Sequence, residues 1–284
     1  MLDDPDAYRE EARTRWSAAA PGWEARRADF QRFTQPVSMW LVEHVAPQPG
    51  TTILELAAGL GDTGLLAAEL VQPGGRVILT DAVEGMVDGA RRRAEQLGLG
   101  HAVEARRMEA EWIDLPTASL DGVLCRWGYM LLADPVAALQ ETRRVLRPGR
   151  RVALAAWTGP DDNPWSAEIS RALVDLGLVP KPDHGLPGQF AWAAPGSIEA
   201  ALDEAGFEEP LVETVSFVLR FDSLDAHFAY QQQTSPSLIP LVPTLTPEQH
   251  TRLRDAADAR LAPFVRADGS VELPARTWVA VASA

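Results

Sequence analysis

Residues 53–66 read "ILELAAGLGDTGLL", a short apolar run that enters a glycine-rich turn and leaves it as a helix-like stretch. An apolar strand, a tight turn and a helix in succession open a βαβ unit. Gly59, Gly61 and Gly64 spell GxGxxG, the fingerprint usually quoted for dinucleotide binding. Glycine there lets a ligand approach the backbone, and free N–H groups at the helix start offer donors. Such triplets also arise as packing turns, so the glycines alone decide little. Two acids sharpen the reading. Glu55 sits in the strand four residues before the first glycine, and Asp62 begins the helix where a pyrophosphate would approach. A carboxylate there suits the helix dipole but repels phosphate. The turn fits a ligand with an ammonium group and no phosphate better than it fits NAD.

Outward from this turn the same grammar repeats. "TTILEL", "GRVILT", "HAVEARR", "LDGVLCR" and "RRVALAAW" read as strands, separated by the helical stretches "DTGLLAAELV", "EGMVDGARRRAEQL" and "DPVAALQETRRVL". Alternation of this kind predicts a parallel sheet with helices on both faces. Continuous apolar runs such as "VALAA" fit strands buried on both sides. Asp81, in "VILTDAVEGM", ends the second strand 17 residues after Gly64. An acid there can accept hydrogen bonds from both hydroxyls of a ribose, or cap the next helix.

Before residue 51 the chain reads as helix, with Pro21-Gly22 as a break and Thr34 as the N-cap of a further helix carrying Pro36 in its first turn. "RPGR" at 147–150 reads as a helix stop and a turn. After Trp157 come loop-rich stretches, helices near 164–178, 197–205, 222–233 and 246–262, and strands in "PLVETVSFVLRF" and "TWVAVASA". Three regions result: a helical segment at 1–50, an α/β core at 51–157, and 158–284, an insertion with the helices and strands that complete the sheet. Loops at strand carboxyl ends carry function in open α/β sheets, so the last region is expected to supply a substrate pocket.

The bulk numbers exclude several classes. The 284 residues carry a formal charge of −14, against bulk electrostatic binding of nucleic acid or anionic membrane. Cys125 is the only cysteine, so neither an intramolecular disulfide nor a cysteine-built metal centre is available. The five histidines are scattered without HxH or HExxH spacing, and no metal is expected. The acidic start "MLDDPDAYREEARTRW" is the opposite of a secretory signal, and no apolar run is long enough for a membrane span. The expectation is a soluble, cytoplasmic protein, with a homodimer left open.

The stretch from "RRMEAEWIDLP" through "GVLCRWGYMLLADPVAALQETRRVLRPGRRVALAAW" resembles class I S-adenosylmethionine-dependent methyltransferases. With "ILELAAGLGDTG" and "TDAVEGMV", the resemblance covers about residues 51–157. It is nearest to small-molecule enzymes related to ubiquinone and menaquinone methyltransferases. The resemblance implies a Rossmann-like, mostly parallel seven-stranded sheet with helices on both faces, an amino-terminal helical segment and an inserted helical lid. It implies S-adenosylmethionine as cofactor and methyl transfer to an O, C or N atom of a small molecule.

Residue by residue, the resemblance places Ala57, Gly59 and Gly61 against the methionine part and Glu55 at its ammonium. Asp81 holds the ribose, with Ala82 and Met86 near the adenine. Glu109, where the family more often has aspartate, and Ala110 edge the adenine. Arg126 and Trp127 border the methionine, and Trp23 and Trp16 close the site. Plainer roles exist beside these: Glu109 as a surface acid, Met86 as core, Arg126 paired with an acid such as Asp134, the tryptophans as helix packing.

For a general base the candidates are His184, His227 and Tyr230, in "KPDHGLPGQFAW" and "DAHFAYQQQ", with Trp165 and Trp192 nearby. The apolar "SPSLIPLVPTL" hints at a hydrophobic substrate, a dimer surface or plain core. Two other functions stand beside methyl transfer. One uses the same cofactor fold for a different reaction; the other is an NAD-dependent oxidoreductase, against which Glu55 and Asp62 argue.

Overall fold

The computed structural model describes residues 2–183 and 185–284. Seven strands form one sheet: β1 Thr52–Glu55, β2 Arg76–Asp81, β3 Val103–Arg107, β4 Leu120–Arg126, β5 Leu146–Trp157, β6 Glu208–Phe221 and β7 Val271–Ser283. Their order is β3-β2-β1-β4-β5-β7-β6. The first five run parallel, and β7 is antiparallel to both its neighbours. Residues 152–156 of β5 are at most 1% exposed, as a strand covered on both faces must be. At "RPGR" the ladder skips: Leu120 pairs with Leu146, but Gly122 pairs with Arg151. The expected turn is therefore a bulge within β5.

The amino-terminal half departs from the sequence reading. Two helices stand there, not three: α1 Pro5–Ala25 runs through Pro21, and α2 Arg27–Val45 runs through Pro36. An interior proline costs a helix about 3 kcal/mol. Against that, α2 buries Phe30, Phe33, Val37, Leu41 and Val42 along one face, at roughly 1.5–3 kcal/mol each. Packing wins over local propensity. Thr34 accordingly caps nothing; its hydroxyl donates to the Phe30 carbonyl one turn back.

The remaining helices are α3 Asp62–Leu70, α4 Glu84–Gln96, α5 Pro135–Val145, α6 Pro164–Asp175, α7 Ser197–Glu204, α8 Leu224–Thr234, the single turn α9 Leu238–Leu241, and α10 Pro247–Leu261. Helices α6, α8, α9 and α10 share a small second core around Ile169, Phe228, Leu238 and Leu253. "SPSLIPLVPTL" packs into this core through Leu238, Leu241 and Leu245. Among the described residues, no helix is long and apolar enough to cross a membrane.

Candidate active site

Register brings the chemistry together. Glu55 pairs with Leu79 on one side and Leu124 on the other. Two residues beyond those partners the strands end in Asp81 and Arg126. Three charged side chains thus stand at the carboxyl ends of adjacent strands, where the connections diverge to opposite sides of the sheet. A cavity of about 1220 Å³, its open mouth included, lies over them.

The glycine turn forms its floor. Ala57 and Gly59 line it at φ 49° and 54°. Gly61 does not line it. At φ 81° it caps α3, and a Cβ there would lie 2.8 Å from Leu79 Cδ1, so its glycine serves packing. The Asp81 carboxylate accepts from Gly59 N–H at 2.9 Å and Val83 N–H at 3.0 Å. The carboxylate lines the cavity and keeps acceptor capacity for ligand hydroxyls. Burial pushes its pKa up to about 6, offset by those N–H donors.

Glu55 is 1% exposed and accepts from Gly64 N–H at 2.8 Å. Burial pushes its pKa up to about 8, partly offset by Arg126. The Arg126 guanidinium donates to Thr34 Oγ1 and Ser38 Oγ, both at 2.7 Å, and faces Asp62 at 3.6 Å. Its partner is therefore Asp62, from the glycine turn, and not Asp134, which caps α5.

Helix α1 covers the cavity. Arg9 makes two bonds to Glu111, at 2.7 and 3.0 Å, and Arg13 bonds Glu109 at 2.7 Å. Tyr8 donates to the Leu131 carbonyl at 2.9 Å. Trp16 and Trp23 pack with Ala20 against Leu60, Val83 and Met86. From there a ladder of rings descends: Trp16 to Trp23 at 5.6 Å, Trp23 to Phe30 at 4.4 Å, Phe30 to Trp127 at 6.0 Å, and Trp127 stacked on Trp157 at 4.2 Å. Trp127 holds φ 61°, uncommon for so large a side chain. It is fixed by its N–H to the Ala155 carbonyl and its Nε1–H to Thr277 Oγ1.

Every residue the sequence suggested for a cofactor except Gly61 lines this cavity: Trp16, Trp23, Glu55, Ala57, Gly59, Asp81, Ala82, Met86, Glu109, Ala110, Arg126 and Trp127. The suggested bases do not gather there. His184 lies outside the described residues. His227 is fully buried, its Nε2–H donating to the Trp165 carbonyl at 2.7 Å, and burial pushes its pKa down to about 4. Tyr230 packs among Phe33 and Phe221, and burial raises its pKa. Neither lines the cavity, and no described residue after Ala133 does.

Helix α8 backs the cover: Trp23 Nε1–H donates to the Thr234 carbonyl and Arg26 to Gln233 Oε1. Sequence reasoning missed Arg9, Arg13 and Glu111. Their signal was present: two arginines four apart on one helix face, opposite two acids two apart in "MEAE". Asp62 was read as suiting the helix dipole, repelling phosphate and admitting an ammonium-bearing ligand, without being assigned a contact of its own.

With this geometry in view, likeness to known proteins is informative. A family profile described as a methyltransferase domain matches residues 53–149. Nocamycin O-methyltransferase of Saccharothrix syringae is 34% identical over 190 residues, 62% of this chain and 66% of that protein. Demethylmenaquinone methyltransferase of Thermus thermophilus is 34% identical over 166 residues, 55% of this chain and 73% of that protein. A crystal structure of a protein assigned as a methyltransferase, from Bacillus halodurans C-125, superposes with a TM-score of 0.57 at 18% identity, covering 87% of this chain and 97% of that one. The chain belongs to the S-adenosylmethionine-dependent methyltransferase family. It spans between 50% and 66% of the length of several relatives it matches.

Proposed function

We propose that this chain transfers a methyl group from S-adenosylmethionine to an O, C or N atom of a small, apolar acceptor. The observation that carries the reading is one continuous cavity with carboxylates at its floor and aromatic rings at its cover. Asp81 takes the ribose hydroxyls on its free lone pairs, Glu55 stands toward the ammonium end, and Ala57 and Gly59 give backbone contact. Ala82, Met86, Glu109 and Ala110 enclose the adenine. Arg126 and Trp127 border the methionine, and Trp16 and Trp23 close the site. Residues 1–50 act as the cover, 51–157 as the cofactor core, and 158–284 as the support on which the cover rests. A relative named for O-methylation of nocamycin supports a small acceptor.

When bound, the cofactor supplies an electrophilic methyl group on a sulfonium, whose charge is relieved by transfer. The chain's task is then to align the acceptor and exclude water. Among the described residues lining the cavity there is no histidine, and Glu109 and Glu111 are held by Arg13 and Arg9. The cavity thus suits an acceptor atom that ionises readily by itself, such as a phenol or enol oxygen, over one needing a strong base.

Incubating the protein with S-adenosylmethionine and a panel of apolar phenols, enols and amines tests this by mass spectrometry. The reading expects S-adenosylhomocysteine and methylated product in equal amounts. An acceptor converted without S-adenosylhomocysteine would overturn it in favour of a different reaction on the same fold.

A further inference from the structure

Asp62 opens α3 at the cavity wall and is 5% exposed. Its Oδ2 faces Nη2 of Arg126 at 3.6 Å, beyond hydrogen-bond reach. Its Oδ1 is buried with no hydrogen-bond partner at all. Arg126 does not fill the gap, since its Nη1 is held by Thr34 and Ser38. Glu55, a second buried acid, faces the same guanidinium and takes its own N–H from Gly64. Two buried acids therefore share one arginine, and one carboxylate oxygen has no donor. A buried acceptor left unmet is costly, more so for a charged group, and persists where a ligand completes it. The missing partner must be a donor, and a positively charged one makes the stronger bond to a carboxylate. A phosphate or a carboxylate fails on both counts; a primary ammonium meets both.

We propose that Asp62 binds the α-ammonium group at the amino-acid end of the cofactor, as its direct charged partner. The assignment rests on S-adenosylmethionine being the cofactor. The glycine turn then has two functions in neighbouring residues: Ala57 and Gly59 admit the ligand to the backbone, and Asp62 holds its charge. The acid that weighs against a dinucleotide is the one that selects an amino acid.

Calorimetric titration of S-adenosylhomocysteine and of its analogue lacking the α-amino group, into the wild type and Asp62→Asn, tests the proposal. The wild type is expected to prefer S-adenosylhomocysteine by roughly tenfold or more, the scale of a charge-assisted hydrogen bond. Asp62→Asn is expected to lose most of that preference while binding the deaminated analogue as the wild type does, which also shows that the variant folds. Equal binding of the two compounds by the wild type would overturn the proposal without any variant. So would a preference that survives in Asp62→Asn. Should the wild type bind neither compound, the cofactor reading itself falls.

Discussion

Glu55 is the residue at which the fold and the site compete. Its carboxyl is favoured in the protonated form by burial, which Arg126 offsets only in part, and Asp62 and Thr63 act on it as well. The pKa stands at about 8 against an ordinary 4.5. Protons therefore bind more tightly to the folded chain than to the unfolded one. The contribution to stability is full below pH about 4.5 and is lost as pH rises through about 8. Glu55→Gln keeps the shape of the protonated acid and removes the titration. Thermal unfolding of the ligand-free protein between pH 5 and 9 should show the wild type losing at least ~3 °C relative to the variant, equivalent to about 1 kcal/mol in a chain of this size. Parallel curves would contradict the assignment.

At the scale of elements, α1 matters most, and it was legible only in part. The stripe Tyr8, Arg9, Arg13 and Trp16 is visible as a helix face, yet Pro21-Gly22 reads locally as a stop. What keeps α1 going is tertiary contact: Gly22 lies so close to α8 that a Cβ there would sit 1.7 Å from the Gln233 carbonyl oxygen. Backbone cannot yield as a side chain can. Gly22→Ala should lift α1 from α8 and uncover the cavity. The expected result is release of an amino-terminal fragment by limited proteolysis and weakening of S-adenosylhomocysteine binding by about tenfold, with the sheet's circular dichroism retained. Wild-type resistance to protease would show that α1 is held elsewhere. The arginine latch to Glu109 and Glu111 is the other hold, and of the two acids Glu111 is nearly closed to solvent, its side chain 3% exposed.

For the whole molecule, what the sequence made legible follows from the range of the forces involved. Strands β1 to β5 and helices α3 to α5 follow from local patterning: apolar runs of strand length, separated by glycine turns and amphipathic helices. The floor of the site was legible with them, because Glu55, Ala57, Gly59, Asp81 and Arg126 are fixed by strand ends, and strand ends are local events. The cover and its support were not, because they depend on pairings across 96 to 211 residues, such as Arg13 with Glu109 and Trp23 with Thr234. The same distance explains the histidines. His227 sits in a polar-looking helix, but packing turns it to the Trp165 carbonyl and away from the cavity. Asp62 fell between the two: its position was local, but the unmet Oδ1 of its carboxylate emerges only when Arg126 is seen to be engaged with α2.

The measurement that bears most directly on the central claim is calorimetric titration of S-adenosylhomocysteine into the wild type and into Asp81→Ala. One-to-one binding in the micromolar range is expected for the wild type. Loss of two hydroxyl contacts to a charged acceptor should weaken the variant by roughly tenfold to a hundredfold. Binding undiminished in Asp81→Ala, or absent from the wild type, would contradict the placement of this cofactor at the carboxyl ends of β1, β2 and β4.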